Sequence, residues 1–296
     1  EVIILVWWTP FTAPGYFAVC RLLKLFGKPP RILLLLHNVI PHEKMPLMVP
    51  LSKMVFRCTS GYIAQSSQVE REFRDFLGSG AEKMWRRLVH HPIYNFRKLY
   101  DTPSPEEARK LLGIRESRAL LFFGVVRKYK GLMTLIRAFP QVKEHFRGDI
   151  RLIIAGEFYD EPEAYMQAVK ESGAGDKITV HNRYIPNEEL GRFFAAADAV
   201  VLPYETASQS GVTQAAFGYG LPVISTRVGG LPEVVADGET GLLCPPGDYE
   251  ALAGAIIRFY GMSEAVDWAG NIERERSRFS WDNIAEAVEE FGGGDG

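Results

Sequence analysis

The most chemically loaded stretch of the chain is LLFFGVVRKYKG at 120–131. An apolar, strand-like run stops at Gly124, three cations follow at Arg127, Lys128 and Lys130, and Gly131 gives way to the helical pattern LMTLIRAF. In open parallel sheets ligands lie outside the carboxyl ends of strands, where loop N–H groups and helix N-termini collect. A lysine at a helix start opposes the macrodipole unless an anion shares the place, and an arginine can grip two oxygens of one phosphate. The spacing points to phosphate recognition by Arg127 and Lys130, with a merely solvated basic loop as the other reading. A second stretch, 198–235, carries a strand out through Pro203 into Ser208, Gln209, Ser210 and Gly211, then a helix through Phe217. Small polar residues ahead of a helix offer hydroxyls and free N–H groups to an anion or a sugar, and equally make an ordinary N-cap. His37 ends the apolar run RILLLLHN, where an imidazole can meet a ligand or satisfy a backbone carbonyl.

Such residues need strands that end where loops begin. Continuous apolar runs at 1–8, 31–38 and 61–66, with helical stretches at 15–26, 48–57 and 67–76, read as buried strands alternating with helices. The pattern resumes with strands expected at 119–124, 150–155, 178–181, 199–202 and 223–225 and helices at 132–146, 162–171 and 187–196. Alternation of this kind makes parallel sheets covered on both faces. Pro92, Pro103 and Pro105 break all periodicity between 91 and 105, which places a linker there. The division expected is a partial amino-terminal domain at 1–98, a linker and short helix at 99–116, a second domain at 117–278, a helix at 279–291 that packs back on the first domain, and a disordered GGGDG tail at 292–296.

Composition narrows the field. At 47% hydrophobic and 24% charged residues the chain is an ordinary folded protein, which excludes collagen and global disorder. The net charge of −2 hides an asymmetry: residues 1–98 hold fourteen Lys and Arg against six Asp and Glu, net +8, leaving −10 for the rest. A basic half suits an anionic membrane face or phosphorylated substrates, or is simply scattered surface charge. Cys20, Cys58 and Cys244 follow no metal-ligand or disulfide spacing, so no metal site is expected and a reducing compartment is. The long uncharged run 2–20 is cut by Pro10, Pro14 and Gly15, and 31–40 is interrupted by His37, so neither reaches the ~20 apolar residues of a membrane span. The chain opens at Glu1, directly in a strand-like run, and reads as a fragment.

Taken together with GGLPEVVADGETGLLCPPGD at 229–248 and RLIIAGEFYD at 151–160, the two loaded stretches resemble the carboxy-terminal domain of family 4 glycosyltransferases, over residues 117 to 260. RILLLLHNVIPHE at 31–43, WWTPF and HHPIYN are similar to a bacterial cell-surface polysaccharide branch of that family. The resemblance implies an α/β GT-B fold, two Rossmann-like domains with parallel sheets facing a cleft, and transfer of a hexose from a nucleoside diphosphate sugar with retention of configuration. The acceptor implied is a glycan or lipid-linked precursor, with no metal and no other cofactor. Arg127 and Lys130 would then hold the donor diphosphate, and His37 would contact the donor sugar or the departing oxygen. Gly124, Glu157, Tyr184 and the loop Ser208, Gln209, Ser210 and Gly211 would frame the donor, while His42 and Glu43 would line the acceptor side. The setting implied is cytoplasmic, peripheral on the inner face of the plasma membrane, with no nucleic-acid partner.

Two departures stand out. The family's paired glutamates, eight residues apart, fall on Ala207 and Ala215, so both carboxylates are absent and Gln209, Ser210 and Glu205 are left to supply hydrogen bonds. The family's amino-terminal domain is longer than residues 1–98, so its first strand and glycine loop are expected to be missing here. Other readings stay open: a non-catalytic GT-B binding subunit that has lost its carboxylates, or another GT-B enzyme such as a sugar-nucleotide epimerase. A phosphorylase would need a pyridoxal phosphate lysine in a context that the sequence lacks.

Overall fold

A computed structural model describes residues 1–25, 29–39 and 48–293. The chain divides into two compact units, one made of Glu1–Pro92 with Arg278–Gly296 and the other of Ile93–Ser277.

The first unit is built on four parallel strands, β1 (Val2–Trp7), β2 (Arg31–Leu36), β3 (Gly61–Ala64) and β4 (Trp85–Leu88), in the order β1-β2-β3-β4. Side chains of a strand alternate between faces, and β2 uses both. Ile32, Leu34 and Leu36 pack with Cys20, Val55, Phe56, Val69 and Phe73 from the helices Ala13–Leu23, Met48–Phe56 and Ser67–Leu77. Leu33 on the opposite face packs with Ile63, Val89, Ala287 and Phe291, the last two from the helix Asp282–Gly293. Gly61 makes room for that helix, since a Cβ there would stand 2.7 Å from the Phe291 ring. Arg31 lies 4.2 Å over the same ring, and Arg87 pairs with Glu290 at 3.1 Å. The helix continues through Gly292 and Gly293, two residues into the stretch expected as tail, and 294–296 lie outside the described residues.

In the second unit six parallel strands, β5 (Ala119–Phe123), β6 (Arg151–Ala155), β7 (Ile178–His181), β8 (Ala199–Leu202), β9 (Val223–Thr226) and β10 (Gly241–Cys244), run in the order β10-β9-β8-β5-β6-β7. This is the doubly wound order: β5 leads outward to β6 and β7 on one side, and β8 starts afresh on its other side. The helices Leu132–His145, Pro162–Glu171 and Tyr249–Met262 cover one face, burying Leu135, Phe139, Val169, Leu252 and Ile256 against β5, β6 and β8. Caps fix several helix starts: Ser104 and Glu107 exchange hydrogen bonds as a capping box, and Asp248 accepts from Ala251 N–H at 2.9 Å. The strands β4 and β10 have no counterpart among the sequence expectations.

Candidate functional site

The doubly wound order puts a crevice outside the carboxyl ends of β5 and β8, where the chain leaves in opposite directions. Both stretches singled out above end there. After β5 the backbone turns through Gly124, at φ +103°, and its N–H reaches Ala155 O at 2.9 Å. Val126 N–H donates to Glu157 O at 2.8 Å, Tyr159 N–H donates to Val126 O at 3.0 Å, and the loops after β5 and β6 run as a pair. A Cβ on Gly156 would stand 2.1 Å from Gly124 O, and one on Gly131 would stand 1.8 Å from Pro203 O. Glu205 N–H donates to Tyr129 O at 2.7 Å. Three loops, after β5, β6 and β8, are thus fastened to one another through their main chains, and glycine is required at the crossing points.

Lys130 lies inside this arrangement. Its Nζ is 3.4 Å from where a Gly124 Cβ would be, with Val212 of the helix Gly211–Gly218 equally close to that point, and it sits 5.7 Å over the buried Tyr204 ring. Burial, and then the nearby Arg127 charge, lower its ammonium to about 8. No carboxylate among the described residues offsets either effect. A half-buried, partly desolvated cation therefore stands without a carboxylate partner among the described residues, at the end of two strands and beside the start of a helix. Arg127, half-buried, stacks at 4.4 Å over Tyr159. Lys128 N–H is taken by Asp160 at 2.9 Å, which bends the loop back before Lys130.

Across the crevice Ser210 is the N-cap of Gly211–Gly218, its Oγ accepting from Thr213 N–H at 3.4 Å and lying 3.4 Å from the Tyr204 hydroxyl. Ser208 is buried and its carbonyl accepts from Gly230 N–H at 3.2 Å. The fold thus brings together Gly124, Lys130, Ser210 and Gly211, with Arg127, Ser208 and Gln209 on the adjoining loops. Glu157 is exposed and contributes its backbone carbonyl to the loop pairing. Tyr184 is 68% exposed, and no contact of its side chain with these groups is formed among the described residues. Ala207 and Ala215 are both buried. Three participants escaped the sequence reading. Tyr94 places its hydroxyl 3.4 Å from the position of a Gly211 Cβ, while Thr213 Oγ1 and Gln214 Oε1 are buried without a hydrogen-bond partner among the described residues. The signal for Tyr94 was the pair Gly211 and Gly218, two helical turns apart, since Gly218 in turn accommodates Tyr94 O.

In the first unit His37 directly follows β2, its N–H donating to Trp7 O at 2.9 Å. Its ring lies 5.7 Å from that of buried His91. Burial first, and His91 second, lower His37 to about 4. His42 and Glu43 lie outside the described residues.

This geometry can be set beside known proteins. Residues 117–261 match the family model described as Glycosyl transferases group 1. Residues 117–261 carry the sequence pattern of a group 1 glycosyl transferase domain. That domain carries every element of the crevice just described except Tyr94. The D-inositol 3-phosphate glycosyltransferase of Corynebacterium urealyticum is 30% identical over 196 residues, 63% of this chain and 45% of that protein. The N-acetyl-alpha-D-glucosaminyl L-malate synthase of Bacillus anthracis is 30% identical over 188 residues, 62% of this chain and 47% of that protein. The chain spans about half the length of the curated relatives it matches. Among solved structures, Anabaena HepE in complex with UDP superposes with a TM-score of 0.81 at 20% identity, covering 98% of this chain and 78% of that one. Sucrose-phosphate synthase from Thermosynechococcus elongatus gives 0.78 at 23% identity, covering 98% and 72%. The likeness shows the fold: two parallel-sheet α/β domains of the GT-B type.

Proposed function

We propose that the chain belongs to a retaining glycosyltransferase that moves a hexose from a nucleoside diphosphate sugar to a glycan or lipid-linked acceptor in cell-surface polysaccharide synthesis. The observation that carries this reading is Lys130, a desolvated ammonium with no carboxylate beside it, at the strand-end crevice of a group 1 glycosyl transferase domain. A partly desolvated charge without a counter-charge is costly, and a diphosphate supplies one. Arg127 holds a second set of phosphate oxygens, and the start of the helix Gly211–Gly218 adds its N-terminal dipole. As the bond to the sugar breaks, negative charge grows on the leaving diphosphate. Two preorganised cations stabilise that charge more than they stabilise the ground state. This division of labour needs no divalent ion at the diphosphate, and turnover is expected to survive chelation by EDTA. The Ser208 to Gly211 loop hydrogen-bonds the donor in place of the carboxylates absent at Ala207 and Ala215. His37 acts on the substrate as a neutral imidazole, since burial keeps it unprotonated at neutral pH.

Related folds support the choice of probe: HepE was solved with UDP and with UDP-glucose. Calorimetry of this chain with UDP, ADP and GDP tests the site, with binding of at least one expected. Release of free diphosphate from a sugar nucleotide by the full-length protein tests the reaction. Nucleoside diphosphate binding without turnover would instead favour the non-catalytic reading, for which the alanines at 207 and 215 are the specific observation. No helix among the described residues is long and apolar enough to cross a membrane. The +8 charge of residues 1–98 supports a peripheral contact with anionic lipid, where each basic side chain near the surface contributes ~1 kcal/mol. Pelleting with phosphatidylserine vesicles that falls as salt rises is the expected result, and salt-insensitive pelleting would remove this element.

A further inference from the structure

We propose that His91 is a positioning residue for His37, its anchored ring holding the neighbouring imidazole in one orientation at the carboxyl end of β2. The placement follows from the sheet. Leu36 on β2, Ala64 on β3 and Leu88 on β4 stand in register, so the residues just beyond them emerge at one end of the same sheet. Val89 N–H extends the ladder to Ala64 O at 2.9 Å, which carries the strand's alternation on toward the two histidines. His90 goes one way, its Nε2 3.1 Å from an Arg278 nitrogen and its ring 5.8 Å from Phe279. His91 goes the other way, to a ring distance of 5.7 Å from His37 at an interplanar angle of 57°.

His91 is itself fixed. It is 6% exposed, and its Nδ1 lies 2.9 Å from Pro92 O. A carbonyl oxygen only accepts, so Nδ1 carries the proton and the neutral ring has its lone pair on Nε2. One tautomer and one orientation are thus set by the residue's own chain neighbour, and a rigid ring bounds the space open to His37. Burial disfavours a charge on either ring, and a charge on one would oppose a charge on the other, so the pair stays neutral at neutral pH. His91 is a titratable group that bears on His37, and the backbone of His37 is tied to β1 by its N–H bond to the Trp7 carbonyl. A neutral, oriented imidazole can donate one hydrogen bond and accept another, which suits contact with a sugar hydroxyl or a departing oxygen.

The inference rests on reading His37 as a substrate-side group, and its test is independent of that reading. The 13C and 15N ring signals of His37 in the whole chain report tautomer and titration midpoint without any substrate. In the native chain one tautomer and a midpoint well below the ordinary imidazole range are expected. His91→Ala should give mixed tautomers or a broadened ring signal and a higher midpoint. His91→Phe, which keeps a ring of similar size, should restore the single tautomer, while His91→Asn, which keeps a donor for Pro92 O but no ring, should not. If His37 signals in His91→Phe and His91→Asn both match the native chain, the proposal is overturned; the Phe variant also guards against loss of fold in the Ala variant. UDP calorimetry on the same samples separates the two ideas. Native UDP binding with unaltered His37 signals in the variants sinks the positioning role alone, whereas absent UDP binding with the expected ring changes sinks the donor reading alone.

Discussion

The lysine at the strand ends gives the sharpest test of the donor reading, because its charge is conditional. With the ammonium lowered to about 8, about nine-tenths of free chains carry the charge at pH 7 and about one-tenth at pH 9. If the diphosphate binds only the charged form, the apparent Kd for UDP rises about tenfold between those pH values, and proton uptake per binding event climbs from about half at pH 8 toward one at pH 9. Little else in the encounter changes there: the terminal phosphate ionises near ~6, and the Arg127 guanidinium stays charged throughout. Calorimetry at constant ionic strength, repeated in two buffers of different ionisation enthalpy, measures both the affinity and the proton uptake. Lys130→Arg should flatten the profile, since its charge does not titrate in this range. An affinity for UDP that stays constant from pH 7 to 9 in the native chain, or that drops equally in Lys130→Arg, would refute the argument that this ammonium meets the phosphate.

Further expectations follow from the same contacts. Lys130→Met should weaken UDP binding yet raise thermal stability, because a fall from 10.5 to about 8 implies a burial penalty on the order of 3 kcal/mol at neutral pH; a lower melting temperature for this variant would contradict the desolvated-charge account. Arg127→Ala in the full-length protein should lower turnover by ~10²–10³, and a loss under about threefold would exclude a role at the leaving group. Gly131→Ala should destabilise the second unit by about 2 kcal/mol or more, since it adds a Cβ 1.8 Å from Pro203 O at a φ of +68°; urea unfolding of the chain measures it. His37 is held below its ordinary value, so its neutral form favours folding above about pH 6.5 and that stability is lost as pH falls toward 4. His37→Gln should flatten urea midpoints over that window, and an unchanged slope would show that the ring is not buried.

What the sequence made legible was the periodic part. Runs such as ALLFF and AVVL are long enough, and flanked clearly enough, to mark β5 and β8, and the glycines and cations after them follow directly. The strands β4 and β10 were hidden for opposite reasons. WRRL carries two exposed arginines at the sheet edge and has no apolar run. GLLC is four residues set between turn-rich segments, where length alone cannot tell strand from loop. The loop crossings at Gly131 and Gly156 were equally invisible, because they depend on which strand lies beside which. His91 lies inside the motif HHPIYN, and its place beside His37 needs the register of β2, β3 and β4 to be seen. Gln214 sat inside a helix as an unremarkable polar residue, and only its burial without a partner sets it apart.

On the donor reading, the main-chain crossings imply a division of recognition within the crevice. The backbone contacts Gly131 to Pro203, Gly156 to Gly124 and Glu205 to Tyr129 tie the loop that carries Lys130 to its neighbours without using its side chains. Lys130 is therefore positioned when the domain folds, and ordering it costs little at the moment of binding. On that reading, the groups left to discriminate among sugars are side chains on the other wall, Ser208, Gln209 and Ser210, with Gln214 one turn along the helix. A substitution there should change which sugar nucleotide is preferred while leaving UDP affinity nearly as it was. Gln209→Ala is the cleanest case, because Ser210 caps the helix and Gln209 does not. Equal losses for UDP and for every sugar nucleotide would place Gln209 on the phosphate instead, and would move the sugar to another part of the protein.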